Sequence, residues 1–112
     1  CRAGTTGKRY GLLGVIGWYR SFFYSQTVSQ KLGNAYGLCD MLGNVWEWCH
    51  DRFGDYASSE TLDPTGLSGA SLRVIRGGSW GNHAWYCRSG FRYRYSPGIR
   101  SSYLGFRLAR SP

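Results

Sequence analysis

Arg73-Val-Ile-Arg-Gly-Gly-Ser-Trp80 is the stretch on which the reading of this chain turns. Two β-branched residues between arginines, followed by paired glycines, read as a buried strand punctuated at its end. Leu104-Gly-Phe-Arg-Leu-Ala109 reads as a second buried strand of the same kind. Between these walls runs Gly81 to Tyr103, made almost wholly of Tyr, Phe, Trp, Ser, Gly, Asn, His and arginine. Rigid aromatics give contact area at low entropic cost, and Ser, Gly and Asn give adaptable hydrogen bonding, which is the mixture found in binding loops. A tyrosine-rich sheet face with glycine turns has the same composition, so composition alone leaves both readings open. Within the run, the alternation Tyr93-Arg-Tyr95 places the arginine on one face and the tyrosines on the other.

Towards the N-terminus, Val45-Trp-Glu-Trp-Cys49 alternates as a strand, with Trp46 and Trp48 on one side and Val45, Glu47 and Cys49 on the other. Gly43-Asn44 reads as a turn, and Tyr36 to Leu42 as one or two turns of helix. Asp51 to Ser71 is a long excursion rich in Asp, Ser, Gly and Pro, with Asp63-Pro-Thr-Gly66 as its tight turn. The short apolar patch Leu12 to Ile16 reads as strand or turn. Trp18 to Tyr24, aromatic throughout, suits a segment packed on both sides or laid into a partner. Ser25 to Asn34 is a polar connecting loop, and no internal repeat is visible.

The 112 residues allow one domain, residues 1–112, and 17 glycines with 17% aromatics describe a loop-rich fold stabilised by large flat side chains. Hydrophobic residues at 42% and charged residues at 18% exclude a disordered chain. The net charge is +8, and no acidic residue follows Asp63. That field favours an anionic partner such as nucleic acid, phospholipid headgroup or acidic glycan. The competing account, which is preferred, makes Arg88, Arg92, Arg94, Arg100 and Arg107 structural, stacked on aromatics or bound to backbone carbonyls. Cys1, Cys39, Cys49 and Cys87 show no metal-binding CxxC spacing and read as free, partly buried thiols. The sequence carries no initiator Met and no signal-like apolar run, so it reads as a processed product or a piece of something longer that does not span a membrane.

Six motifs in order carry a family resemblance: Cys-Arg-Ala-Gly-Thr at 1–5, Asn-Ala-Tyr-Gly-Leu at 34–38, Asp-Met-Leu-Gly-Asn-Val-Trp-Glu-Trp-Cys at 40–49, Asp-Pro-Thr-Gly at 63–66, and the two walls at 73–80 and 104–109. Together they resemble the formylglycine-generating-enzyme (sulfatase-modifying factor) superfamily. The resemblance implies an α+β, C-type-lectin-like fold, here shortened: the N-terminal part and some sequence between Gly17 and Val28 look absent. The oxidases of that superfamily use two nearby cysteines after the Gly-Gly-Ser strand to bind copper, whereas this segment holds only Cys87, and His50 and His83 form no iron-binding pattern. No catalytic residue is therefore expected. A shortened oxidase or pseudo-enzyme, and a basic nucleic-acid-binding module, stand as the alternatives.

The stretch Trp80 to Leu104 resembles the variable region of a diversity-generating-retroelement protein, a fixed frame interrupted by positions coded from adenine-rich triplets. The frame is Ala84, Cys87-Arg-Ser89, Arg92, Arg94, Ser96-Pro97, Arg100 and Leu104. Gly81, Asn82, His83, Tyr86, Phe91, Tyr93, Tyr95, Ile99, Ser101, Ser102 and Tyr103 are all residues reachable by randomising the first two bases of an AAC codon. Trp85 and Gly98 follow from single changes at an adenine of an arginine and an aspartate codon, while Gly90 has no such derivation. These thirteen candidate ligand-binding positions are expected on one exposed surface, with the arginines holding the frame. The expected partner is a protein or glycan on a cell surface, met by a phage tail or bacterial surface protein. The family's calcium loop maps onto Asp40, Gly43, Val45 and Glu47, an all-oxygen set suited to Ca²⁺. The residues alone equally allow Asp40 to cap the Gly43-Asn44 turn and Glu47 to pair with an arginine.

Overall fold

The computed structural model describes residues 10–20, 23–56, 58 and 66–109. The Cys-Arg-Ala-Gly-Thr motif and Asp63, Pro64 and Thr65 of the expected tight turn lie outside the described residues. The described elements are helix α1 (Tyr10–Ile16), strands β1 (Gly17–Trp18), β2 (Leu42–Gly43), β3 (Trp46–Arg52) and β4 (Arg73–Arg76), a 3₁₀ turn (Ala84–Cys87), and strands β5 (Tyr93–Tyr95) and β6 (Leu104–Gly105).

The centre is a four-stranded sheet in the order β5-β4-β3-β6. β4, the first wall of the sequence reading, runs antiparallel to both its neighbours, and its Val74 and Ile75 are fully buried. Glu47 and Trp48 pair with Arg76 and Ile75, and the register then slips so that Arg52 faces Arg73. β6 runs parallel to β3 through Trp46↔Leu104 and Glu47↔Gly105. A parallel pair cannot be closed by a hairpin. The whole run from β4 through residue 103 is therefore the connection that brings the chain back to β3.

Several local expectations are corrected. Leu12 to Ile16 is helical: Leu13 is buried and Ile16 half-buried against Leu42 and Cys87, while Gly14 and Val15 face out, a one-sided burial at spacing three. A short apolar run does not carry enough periodicity to announce this. Tyr36 to Leu42 makes no helix, because the Asn34 side-chain oxygen accepts the Tyr36 and Leu38 amides at 2.9 and 3.1 Å and bends the chain into a turn. Trp18 is buried in β1, yet Phe23 and Tyr24 are exposed, so the aromatic segment is not packed on both sides. The second wall is a strand only at Leu104–Gly105, paired with Trp46 and Glu47, and the chain then leaves β3; Phe106 and Leu108 are exposed.

The Gly43-Asn44 step is a hub. The Asn44 side chain accepts the Gln26 amide at 2.8 Å and donates to the Gln26 carbonyl at 3.1 Å, fastening the 25–34 loop. Its backbone donates to Trp18 O at 2.8 Å and accepts from Trp80 N at 2.8 Å. Gly43 has φ +81°, and a Cβ there would collide with the Trp18 carbonyl, so the close pairing of β1 with β2 requires glycine.

Candidate functional site

The run from Gly81 to Tyr103 is pinned by its backbone before any side chain is considered. Turns close through Asn82 N to Ser79 O, Tyr86 N to His83 O, Phe91 N to Arg88 O, Ile99 N to Ser96 O and Leu104 N to Ser101 O, all between 2.9 and 3.1 Å. Cys87, 2% exposed, plugs the 3₁₀ turn into the cluster formed with Leu13 and Leu42. Burial pushes its thiol up from 9.0 to about 11. The free thiols of Cys39 and Cys49 are half-buried, and that of Cys49 is also raised, first by burial.

Arginines tie the frame as expected at Arg88, Arg92, Arg94 and Arg107, whereas Arg100 is exposed and makes no side-chain hydrogen bond or ring contact among the described residues. Arg88 donates from Nε to Trp85 O at 2.9 Å, Arg92 to Gly54 O at 3.0 Å, and Arg76 to Ser89 O at 2.7 Å. Arg92 lies 4.3 Å over the Tyr56 ring, and Arg94 4.7 Å over Phe53. The side of β5 carrying Arg94 thus grips the 53–56 segment, and the opposite side carries Tyr93 and Tyr95, the division read from the alternation.

On that second side the aromatic rings form one continuous patch. Trp46, the first residue of β3 and 6% exposed, lies under Tyr86, Phe91 and Tyr93 at centroid distances of 6.3, 6.0 and 6.2 Å. Trp85 packs on Tyr86 at 4.1 Å and edge-on to Phe91 at 5.1 Å, and Tyr95 meets Tyr93 at 5.8 Å. Trp85 and Tyr93 still keep 43% and 45% of their surface in solvent. A second, smaller stack places Tyr103 flat on Trp80, 4.5 Å apart at 16°, beside Gly81.

None of the thirteen candidate positions is buried: Asn82, Tyr86 and Phe91 are half-buried, and the others are exposed. The structure brings Trp85, Tyr86, Phe91, Tyr93 and Tyr95 together around Trp46, and Gly81 with Tyr103 around Trp80. His83 is an exposed residue at the start of the 3₁₀ turn, and Gly98, Ile99, Ser101 and Ser102 sit on exposed turns without ring contacts. Asn82 is turned inward, its side-chain oxygen accepting both the Ser79 amide at 3.1 Å and the Ser79 hydroxyl at 2.6 Å. The sequence reading did not single out Trp46 and Trp80 as supports. The position of Trp80 beside the aromatic run was visible, but the sheet pairing that slides Trp46 beneath it was not.

Asp40, Gly43, Val45 and Glu47 come together along one cleft of about 350 Å³. Asp40 is buried; Oδ2 accepts the Ser29 amide at 2.6 Å, and Oδ1 has no hydrogen-bond partner among the described residues. Asp40 therefore caps the 25–34 loop and not the Gly43-Asn44 turn. A buried, unpartnered carboxylate oxygen is costly, and a hard cation would satisfy it. Glu47 pairs with Arg107, which donates to its two oxygens at 2.7 and 3.1 Å and to Cys39 O at 2.8 Å. That pairing raises the Arg107 guanidinium. No three His, Cys, Asp or Glu side chains converge among the described residues, so a cation here would depend on backbone carbonyls such as those of Gly43 and Val45. The oxygen donors fit Ca²⁺ in kind, and Glu47 would have to be shared between such an ion and Arg107.

The model of the sulfatase-modifying factor enzyme 1-like domain matches residues 1–112. The formylglycine-generating enzyme of Streptomyces coelicolor is 46% identical over 81 residues, covering 68% of this chain and 26% of that protein. A protein named serine/threonine-protein kinase pkn1, from Chlamydia caviae, is 40% identical over 96 residues, covering 80% of this chain and 16% of its own length. Among solved structures, Treponema denticola variable protein 1 superposes with a TM-score of 0.80 at 42% identity, covering 87% of this chain and 36% of that one. The chain spans a minor part of each of these relatives.

Proposed function

Since the chain belongs to the sulfatase-modifying factor enzyme 1-like domain family and has its C-type-lectin-like α+β fold, we propose that it is a diversified ligand-binding domain, the product of a diversity-generating retroelement. The observation that carries this reading is the exposed ring patch of Trp85, Tyr86, Phe91, Tyr93 and Tyr95, seated on Trp46 while backbone bonds and arginines hold the loop. Side chains on such a loop can be exchanged without remaking the backbone, and Tyr, Trp and Phe are enriched in interface cores, where Trp and Tyr carry much of the binding energy. The likeness to a protein titled variable protein supports the same reading. The domain would act at the surface of a phage particle or bacterial cell, as the receptor-recognising part of a larger protein.

Catalysis of the oxidase kind has less support here. Cys87 is the one cysteine in the segment that would supply the paired thiolates, and it is buried and held protonated. Ca²⁺ bound between Asp40, Glu47 and the Gly43 and Val45 carbonyls would brace the hub that fastens the 25–34 loop, with no part in chemistry.

Sequencing the DNA around the gene tests the reading. The expected result is a near-copy of the codons for Gly81 to Tyr103, differing at adenines and lying near a reverse transcriptase. Absence of any such template in a complete genome would sink it. Conversion of a sulfatase-derived cysteine peptide to formylglycine, abolished by Cys87→Ala, would instead establish the enzyme.

A further inference from the structure

The ring patch carries a charge that diversification would leave in place. The Arg88 guanidinium lies 5.3 Å from the Trp85 ring and 6.0 Å from the Phe91 ring, exposed, with Nε bound to Trp85 O. Its terminal amino groups have no hydrogen-bond partner among the described residues. Among the described residues no carboxylate pairs with it: residues 64–112 contain none in the sequence, and the ion pair of the described residues joins Glu47 to Arg107. Arg88 belongs to the fixed frame, so each variant of the face would present the same cation in an aromatic setting.

We infer that the ring patch docks an acidic protein surface, one whose carboxylates meet Arg88 around an apolar centre packed on Trp85 and Tyr93. This rests on the display reading above and narrows its partner. An aromatic centre with Arg and without Lys, Asp or Glu is the composition of a protein–protein interface core, and Arg pairs bidentately with carboxylates. A glycan would call for carboxylate or amide groups beside the rings to bind its hydroxyls, yet the 81–103 run that makes the face has no carboxylate, and its one side-chain amide, Asn82, is committed to Ser79. A single-stranded nucleic acid would need open ring faces. Here Trp85 and Phe91 meet at 85°, Tyr86 and Phe91 at 77°, and Tyr93 and Tyr95 at 78°, so these rings do not line up as a run of parallel stacking platforms.

The test is selection of a random-peptide library on the immobilised 112-residue chain, followed by titration of the enriched peptides against the wild type, Arg88→Gln and Trp85→Ala. Circular dichroism establishes that both variants fold. The proposal expects peptides combining Asp or Glu with aromatic or aliphatic residues, weakened about tenfold or more by either substitution, and by rising salt. Enriched peptides that are neutral or basic, and that respond to Trp85→Ala but not to Arg88→Gln, would overturn the acidic partner and leave display intact. Competition by heparin or oligothymidine stronger than by the acidic peptides would overturn it in favour of a polyanion. A selection giving no peptide sensitive to either substitution would overturn the display reading itself.

Discussion

Gly81 and Tyr103 are coupled across the mouth of the loop: a Cβ on Gly81 would come within 2.7 Å of Tyr103 Cε1, and the Tyr103 ring in turn lies flat on Trp80. Two positions read as independently exchangeable therefore share one space. A side chain at 81 and a ring stacked at 103 exclude each other unless the ring swings away.

Gly81→Ala is expected to displace the Tyr103 ring and cost about 0.5–1.5 kcal/mol, the worth of an aromatic pair beyond its buried area. Tyr103→Ser should remove the conflict, so that the double variant costs less than the sum of the singles. Urea denaturation of the four proteins in a double-mutant cycle measures this coupling. Additive costs would show the two sites to be independent.

Trp46→Ala should be the most damaging change on the face, destabilising by about 3–5 kcal/mol, because it removes the buried ring under three others. Trp46→Phe should keep the fold with a smaller loss. Near-ultraviolet circular dichroism should report disordered tyrosines in both, while Tyr93→Ser, which removes a ring 45% exposed, should lower the melting temperature less than Trp46→Ala does.

Calcium is expected to raise the melting temperature of the wild type in proportion to the logarithm of its concentration once binding saturates. Asp40→Asn should abolish the shift. Arg107→Ala removes a half-exposed ion pair, costs under about 1 kcal/mol, and frees Glu47, so it should tighten Ca²⁺ binding. Calorimetric titration of the three proteins distinguishes these outcomes, and a wild type without heat or thermal shift removes the site.

Cys87 gives a pH signature. Its folded value, about 11, is above the ordinary 9.0, so the unfolded thiol releases its proton first as pH rises. Stability tied to the buried thiol is full below pH 9.0 and is lost on passing from there to about 11. Cys49, raised in the same direction, adds to the loss. Cys87→Ala should show a shallower decline over this window in denaturation measurements. At neutral pH a thiol-specific reagent should label Cys87 only after unfolding.

The sequence by itself determined the family, the β4 strand, the two-sided character of Tyr93-Arg-Tyr95 and the structural duty of Arg88, Arg92, Arg94 and Arg107, though not of Arg100. These follow from short-range pattern: strand alternation sets faces without reference to partners, and a chain with few carboxylates leaves its arginines to carbonyls and rings. What only the tertiary structure decided is which residues meet across long separations. Leu104–Gly105 leaves the sheet after pairing with Trp46 and Glu47 although β3 continues to Arg52, Phe106 and Leu108 are left outside, and Trp46 slides under rings some forty residues away. Helix α1 (Tyr10–Ile16) and the Asn34 turn went unread because so few residues carry too little periodicity to outweigh one side-chain hydrogen bond or one buried neighbour. The inward Asn82 and the shared space of Gly81 and Tyr103 have the same cause: packing is a property of pairs, and the sequence states its residues one at a time.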